Sequence, residues 1–532
     1  METSSTSSSS TSPVSTTSSS AIIVSVDTVP PRTSQFCPLR HTNSDQPCQT
    51  SHVTSLLPVA PAPVDAPLAI GTSVTLDEGA TFLDRDLLAG GSPWRLLRLP
   101  GGSRAVAERW SGGGVVGAGE GRFARTLVQQ GLVHPLFNGT LDVDVVDVVI
   151  PVRDDVASLH SLLTQLEGLH VTVVDDGSIH QILVKECASQ FGVKLVRLES
   201  NGGPAAARNA GMLATSRPLT WFLDVDVVVD NAHDVLSRLA AQFADPLLAA
   251  IAPRIRGGAG SSLRDLFEQR FSPLDMGAHS GLVVSRGAIG YVPSACLVVR
   301  RSAFGTGFDE SLRVGEDVDL VWRLADQGWL VRYMAGVVVV HRARGTWRDW
   351  WDQRVSYGTS TSALAQRHGS RAAPLRGDVW TMLAWLSVMA GKPLIGARIA
   401  RVARGALTSR LRDTDDAEHV SGEVVTKGML RAGGPMARAL VRTFGPLVLL
   451  AAVHPKLRRR ALLVFAVGTA WRWRHTRFHA SDVPLAIADD LAYSVGVGRG
   501  AWRAKSLRAL TPHITKSSLS AKELLGLKGR PS

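Results

Sequence analysis

The chain runs to 532 residues with a net charge of +12 and a sequence pI near 10.0, a length that predicts two to four domains and excludes a minimal single one. Such a charge suits nucleic acid, an anionic membrane surface or phosphorylated ligands equally, so by itself it selects none of them. Cys37, Cys48, Cys187 and Cys296 form no C-x-x-C pair and no zinc-like spacing, which argues against structural zinc and makes a reducing compartment the expectation.

Residues 1–66 are rich in Ser, Thr and Pro and read as a disordered tail, because such a composition buries too little apolar surface to offset its ordering entropy. Its start has no basic n-region, and AIIVSV is too short for a signal h-region. The expected location is therefore the cytoplasm or the cytoplasmic face of the membrane. Residues 67–139 predict a small α+β unit. SVTLDEGATFLDRDLLAGGSPWRLLRLP has strand-like runs broken at Gly90, Gly91 and Pro93, while SRAVAERW and GRFARTLVQQGLVHP have helical spacing, an order that suits a winged helix.

From 143 to 360 strands and helices alternate, which predicts an α/β fold with a mostly parallel sheet flanked by helices. VDVVDVVIPV reads as a first strand stopped at Pro151, and VTVVDDGS as a second that delivers Asp175 and Asp176 to its carboxyl end. Open α/β sheets bind ligands at that end. After VKLVRLES, the loop NGGPAAARNAG leads through a helix into TWFLDVDVVVD. There Asp224 and Asp226 stand in an apolar run, where an unpaired charge costs several kcal/mol. A strand ending at the rim of the sheet brings both out to solvent or to a cation, roughly 7 Å apart along the chain. The plainer alternative is a strand end running into a helix cap at Asp230 or Asn231.

Residues 370–515 read as helical and Arg-rich. VWTMLAWLSVMAG, FGPLVLLAAV and ALLVFAVGTAW are each shorter than the roughly 20 residues that cross a bilayer. Arg438, Arg442, Lys456, Arg458, Arg459 and Arg460 flank them, a pattern that predicts peripheral attachment to anionic lipid. Residues 516–532 read as a second tail.

Taken in order, VVIPVRDD, VVDDGS, NGGPAAARNAG, FLDVDVVVD and VGEDVDLVWRL resemble the family-2 nucleotide-sugar glycosyltransferases of the GT-A fold. The resemblance implies a UDP-sugar donor bound by Pro151, Val152, Asp175, Asp176, Gly203, Arg208 and Asp224; for Asp175 and Asp176 a simple Asx turn is the alternative. Asp224 and Asp226 match the family's D-x-D, which holds Mg2+ or Mn2+ across the donor phosphates. His341, at the end of VVVVH, is either a further metal ligand or an ordinary hydrogen-bonded histidine. Glu316 and Asp317 match the pair that supplies the catalytic base, here Asp317, and inversion at the anomeric carbon follows. DQRVSYG loosely matches the acceptor-side motif and brings in Gln353, Arg354 and Tyr357, although the tryptophan that usually closes it is absent.

GGSPWRLLRL, GLVHPL and VDVVIPV together look like the mycofactocin-system glycosyltransferases, which attach glucose to a redox cofactor made from a ribosomal peptide. The implied reaction moves glucose from UDP-glucose to this peptide-derived small molecule and extends a β-linked oligosaccharide. A lipid or cell-envelope polysaccharide is the alternative acceptor. The 67–139 unit is similar to the peptide-binding winged-helix modules of such pathways, with helix-turn-helix DNA binding as its rival. No nucleic acid is expected as partner of the enzyme; a noncatalytic peptide- or DNA-binding module is the reading of another class.

Overall fold

The computed structural model describes residues 65–99, 101–139, 142–342, 345–412 and 415–515. The tail expected over residues 1–66 lies outside the described residues but for its last two positions, and the tail expected over 516–532 lies wholly outside them.

The described residues up to 139 build two small antiparallel sheets around two helices. Their elements are β1 (Ser73–Leu76), β2 (Thr81–Asp84), β3 (Leu87–Gly90), β4 (Arg95–Arg98), α1 (Ser103–Arg109), β5 (Gly114–Val115), α2 (Gly121–Gln129) and β6 (Val133–Leu136). β1 lies between β5 and β6, and β2, β3 and β4 form a meander. This unit is wedged between the other two regions. Leu127, Val128 and Leu132 share a core with Val148 and Ile150, while Leu87 packs with Trp380, Leu407 and Val424. Arg125 of α2 clamps Asp245 through two parallel bonds of 2.9 Å, with both side chains almost wholly buried. Removing one partner of such a pair costs about 3–5 kcal/mol, because the other charge is left buried alone.

The chain then runs β7 (Val146–Val152), α3 (Val156–Gln165), β8 (His170–Asp176), α4 (Gln181–Gln190), β9 (Lys194–Leu198), α5 (Pro204–Ala214), β10 (Leu219–Leu223), β11 (Val227–Val228) and α6 (Ala232–Ala241). It continues with β12 (Leu248–Gly257), α7 (Leu263–Phe271), β13 (Gly281–Leu282), β14 (Cys296–Arg300), α8 (Glu316–Asp326) and β15 (Leu330–His341). The strands form one sheet in the order β11-β15-β12-β14-β10-β7-β8-β9, with β13 also on β15. Pairing is parallel from β10 through β9 and between β12 and β15; β14 runs antiparallel to both its neighbours. Parallel strands covered on both faces need apolar residues on both. Accordingly Val148, Ile150, Trp221 and Leu223 enter one core and Val149 and Phe222 the other. Asp147, buried within β7, is satisfied by the backbone N–H groups of Ser216 and Arg217 and by the Arg217 guanidinium.

The C-terminal region comprises α9 (Trp347–His368), β16 (Arg376–Asp378), α10 (Val379–Met389), α11 (Pro393–Arg410), α12 (Ala417–Val453), α13 (Arg458–Ala470), α14 (Asp482–Arg503) and β17 (His513–Thr515). α9 and α14 cross with their backbones in contact. A Cβ on Gly358 would lie 2.2 Å from the Tyr493 carbonyl oxygen, and one on Gly496 would lie 2.1 Å from that of Val355. FGPLVLLAAV, which sequence periodicity separates from what precedes it, is the end of the 37-residue α12. Among the described residues this is the helix long and apolar enough to cross a membrane, by length and composition only.

Pro446 has no N–H to give the Arg442 carbonyl, so the ladder breaks there and Phe444 leaves helical geometry. Ser494 Oγ of α14 repairs the gap, donating to the Arg442 oxygen at 2.8 Å and accepting from Gly445 N at 3.3 Å. Arg438 and Arg442 do not form a lipid-facing rim as their sequence position suggests. They turn inward onto Asp490 and Asp489 of α14, since a guanidinium facing a buried carboxylate is better placed there than against lipid. Leu386, Leu394, Leu450, Val453 and Leu463 are exposed.

Candidate active site

The carboxyl ends of β7, β8 and β10 open onto a cleft of about 810 Å³ whose far wall is made by α8, α9 and residues from α12 and α14. Pro151 and Val152 form its floor at the end of β7. Asp175 and Asp176, adjacent on β8, point to opposite sides of the strand as their alternation requires. Asp176 lines the cleft and ties down the loop ahead of α5, accepting from Gly202 N at 2.7 Å and Gly203 N at 2.9 Å. Gly203 takes φ +91° to present that N–H. Asp175 does not line the cleft. It accepts from Ser178 N at 2.8 Å and pairs with Arg197, so the donor contact expected of it is replaced by a turn and a buried ion pair.

Arg208, in the second turn of α5 and almost wholly buried, is the hub of an acid cluster. Its Nη1 donates to Glu316 Oε1 at 2.9 Å and its Nη2 to Asp224 Oδ1, while its Nε has no hydrogen-bond partner. Burial works against its charge, but the carboxylates of Asp224, Glu316 and Asp317 outweigh burial and raise its pKa. Glu316 and Asp317 open α8, where the helix N-terminus favours negative charge. Burial, then the neighbouring Asp317 carboxylate, push Glu316 up to about 7 against the pull of Arg208. Asp317 is likewise raised by burial, opposed by its contacts with backbone N–H groups. Those are Val318 N on Oδ1 at 2.8 Å and Ser294 N on Oδ2 at 3.3 Å.

Asp226 and His341 meet because β11 pairs with the end of β15, with Val227 opposite His341 and Arg342 N donating to the Asp226 carbonyl. Asp226 Oδ2 and His341 Nε2 stand 3.1 Å apart on the cleft wall. Asp224 is committed to Arg208, and among the described residues no group of three or more His, Cys, Asp or Glu is gathered as a ready-made metal cage. A hard divalent cation on a nucleotide-sugar needs no such cage, because one or two protein ligands plus phosphate oxygens and water complete its shell. The Asp226 and His341 pair fits that donor set.

On α9, Gln353 and Tyr357 face the cleft, as their i, i+4 spacing allows. Arg354, one residue round the helix, cannot share that face. It is buried on Glu268 and Asp489 and stacked on Trp350, so its expected acceptor-side place is corrected to the helical core. Sequence reasoning missed Tyr291, Ser294, Trp322, Arg442 and Tyr493, all of which line the cleft. Trp322 lies inside VGEDVDLVWRL, where the acids alone stand out; the others lie in no local motif, and Arg442 and Tyr493 arrive from more than 100 residues beyond Asp317 through the packing of α9, α12 and α14.

Strand ends carrying acids thus meet a helix-borne carboxylate on one rim, and residues 147–308 match the model of glycosyl transferase family 2. The chain belongs to the family-2 glycosyltransferases, which also sets aside the noncatalytic module. It is 35% identical over 473 residues to the pre-mycofactocin glycosyltransferase of Mycobacterium tuberculosis (strain CDC 1551 / Oshkosh), a match covering 84% of this chain and 98% of that protein. A shorter match, 44% over 100 residues, joins 18% of this chain to 32% of the same organism's N-acetylglucosaminyl-diphospho-decaprenol L-rhamnosyltransferase. Among solved structures, the Pyrobaculum calidifontis mannosyltransferase PcManGT overlaps 67% of this chain and 87% of its own, at 15% identity and a TM-score of 0.39.

Proposed function

We propose that this chain is an inverting, metal-dependent glycosyltransferase that moves glucose from UDP-glucose to pre-mycofactocin, a peptide-derived small molecule, and extends it as a β-linked oligosaccharide. The observation that carries the chemistry is Asp317, a carboxylate on the cleft wall fixed by the N–H groups of Val318 and Ser294. Partial desolvation raises its basicity, which suits a general base. The acceptor hydroxyl gives its proton to Asp317 as its oxygen bonds the anomeric carbon and the bond to the nucleotide diphosphate breaks on the opposite face, which inverts the centre. Pro151, Val152 and Asp176 shape the nucleotide side, and Arg208 holds Asp224 and Glu316 in place between the two sides. Mg2+ or Mn2+, when bound by Asp226 and His341, would supply positive charge against the departing diphosphate.

The acceptor assignment is supported by the near end-to-end match to the mycobacterial relative. In this reading the 67–139 unit serves acceptor choice and sheet packing, no nucleic acid takes part, and the exposed leucines of α10 to α13 rest on the cytoplasmic face of the membrane. Those leucines, with the match to a decaprenol-linked rhamnosyltransferase, favour a lipid-linked acceptor as the second reading. Incubating the purified protein with UDP-glucose, Mn2+ and pre-mycofactocin separates them. Stepwise hexose addition with β anomeric coupling by NMR is expected; transfer to a polyprenyl-linked acceptor alone would replace the first reading with the second.

A further inference from the structure

The acceptor side of the cleft has a wall that none of the donor motifs supplies. Tyr291, Arg442 and Tyr493 line it together with Asp317, yet they come from the loop before β14, from α12 and from α14. The Tyr291 phenol is raised by burial and then by the Asp317 carboxylate, with Arg442 and Tyr493 also acting on it, so the four groups share one neighbourhood. The Arg442 guanidinium sits 4.1 Å from the centre of the Tyr493 ring. Both of its carboxylate contacts, to Asp489 at 3.2 Å and Asp490 at 3.5 Å, run through Nη1. Its Nε and Nη2 donors meet no protein acceptor among the described residues.

Four features hold this wall in place. The break at Pro446 frees the Arg442 carbonyl, Ser494 captures it, Asp489 and Asp490 anchor Nη1, and the Gly358 and Gly496 contact brings α14 close enough to place Tyr493. The local charge is nearly balanced, with Arg354, Arg438, Arg442 and Arg472 set against Glu268, Asp489 and Asp490. With three carboxylates offsetting all but one of the four arginines, Arg442 offers mainly directional N–H donors, which suits a hydroxyl or carbonyl oxygen better than a phosphate. Tyrosine rings beside it offer flat faces for the C–H side of a sugar or for another aromatic ring.

We infer that Tyr291, Arg442 and Tyr493 form the acceptor subsite, which holds a hydroxylated six-membered ring, sugar or phenol, with one oxygen on Arg442 and a second hydroxyl turned toward Asp317. The assignment rests on the transferase reading above and adds no bond-making step to it. Steady-state kinetics with UDP-glucose and two acceptor probes, pre-mycofactocin and methyl β-glucoside, test it in Arg442→Met, Arg442→Lys and Tyr493→Leu. Loss of one charge-assisted hydrogen bond predicts an acceptor KM raised about tenfold or more in Arg442→Met, less in Arg442→Lys, with UDP affinity by calorimetry within about twofold. Tyr493→Leu leaves the Asp489 and Asp490 contacts intact, so a rise in acceptor KM there answers any folding defect in Arg442→Met. Unchanged acceptor KM in both variants overturns the subsite. An equal loss of UDP affinity overturns it too, by placing Arg442 on the diphosphate. Failure of the underlying reading shows instead in the wild type, which would turn over neither probe.

Discussion

The molecule holds two clusters of acids and arginines, and they are built to opposite ends. Around Arg208 the acids outnumber the base: Asp224, Glu316 and Asp317 surround one guanidinium, and Glu316 and Asp317 are pushed up by burial. Around Asp489 the bases prevail. Burial works against its charge, yet Arg472, Arg442 and Arg354 more than offset burial and hold it well below the usual carboxylate range. A cluster with unspent negative charge is poised to take a proton or a cation. One whose carboxylates are all paired with arginines has spent its electrostatics on holding helices together. Residue type alone does not separate them; the sign of the excess does.

Substitution at each cluster should therefore fail in a different way. The largest effect is expected at Asp317, where Asp317→Asn keeps the shape but removes the proton acceptor. Transfer should fall by about two to four orders of magnitude while calorimetry shows UDP still bound; near-normal transfer would remove the base assignment. Next comes Asp226→Asn, which takes a negative ligand from the pair with His341. Mn2+ affinity should weaken at least about tenfold, with transfer partly restored by excess Mn2+, and a metal dependence identical to wild type would dissolve that pair as a donor set.

Asp489→Asn should spare UDP binding and cost mainly stability, about 3–5 kcal/mol for an opened buried ion pair. The sign of its pH dependence follows from the depressed folded pKa. Asp489 stabilises fully above the unfolded carboxylate value, about 3.9, and that contribution is lost as pH falls below it toward the folded value. The gap between the denaturant midpoints of wild type and variant should thus stay level from pH 7 to about 4 and close only below that. A gap that does not narrow below about pH 4 would mean that packing, not charge, is what the substitution removes.

How much of this was legible beforehand divides along the same line. The half of the cleft proposed for the donor is written locally: VVDDGS, FLDVDVVVD and VGEDVDLVWRL each place an acid at a strand end or helix start, and the structure gathers Asp176, Asp224, Asp226 and Asp317 on one cleft. Pairwise details were not legible. Nothing in the order of letters says that Asp175 faces Arg197 while Asp176 faces the loop, or that Arg354 falls on the far side of α9 from Gln353 and Tyr357. The acceptor wall was illegible for a stronger reason. Arg438 and Arg442 sit beside apolar runs and so read as a lipid-facing rim, and only the return of α14 reveals the carboxylates that draw them inward. Pro435 and Pro446 compounded this by splitting into pieces a helix that tertiary contacts hold together.

The bare backbone crossing of Gly358 on Gly496 has a consequence for how such an enzyme changes over time. With no side chain between the two helices, Tyr357 and Tyr493 are set by the same crossing, and both face the cleft. A methyl group at either glycine would spread the helices and shift the two rings together. If the two rings meet the acceptor as proposed, its preference is geared to this single contact and can drift by small steps at the helix crossing while the strand-end acids of the cleft stay untouched.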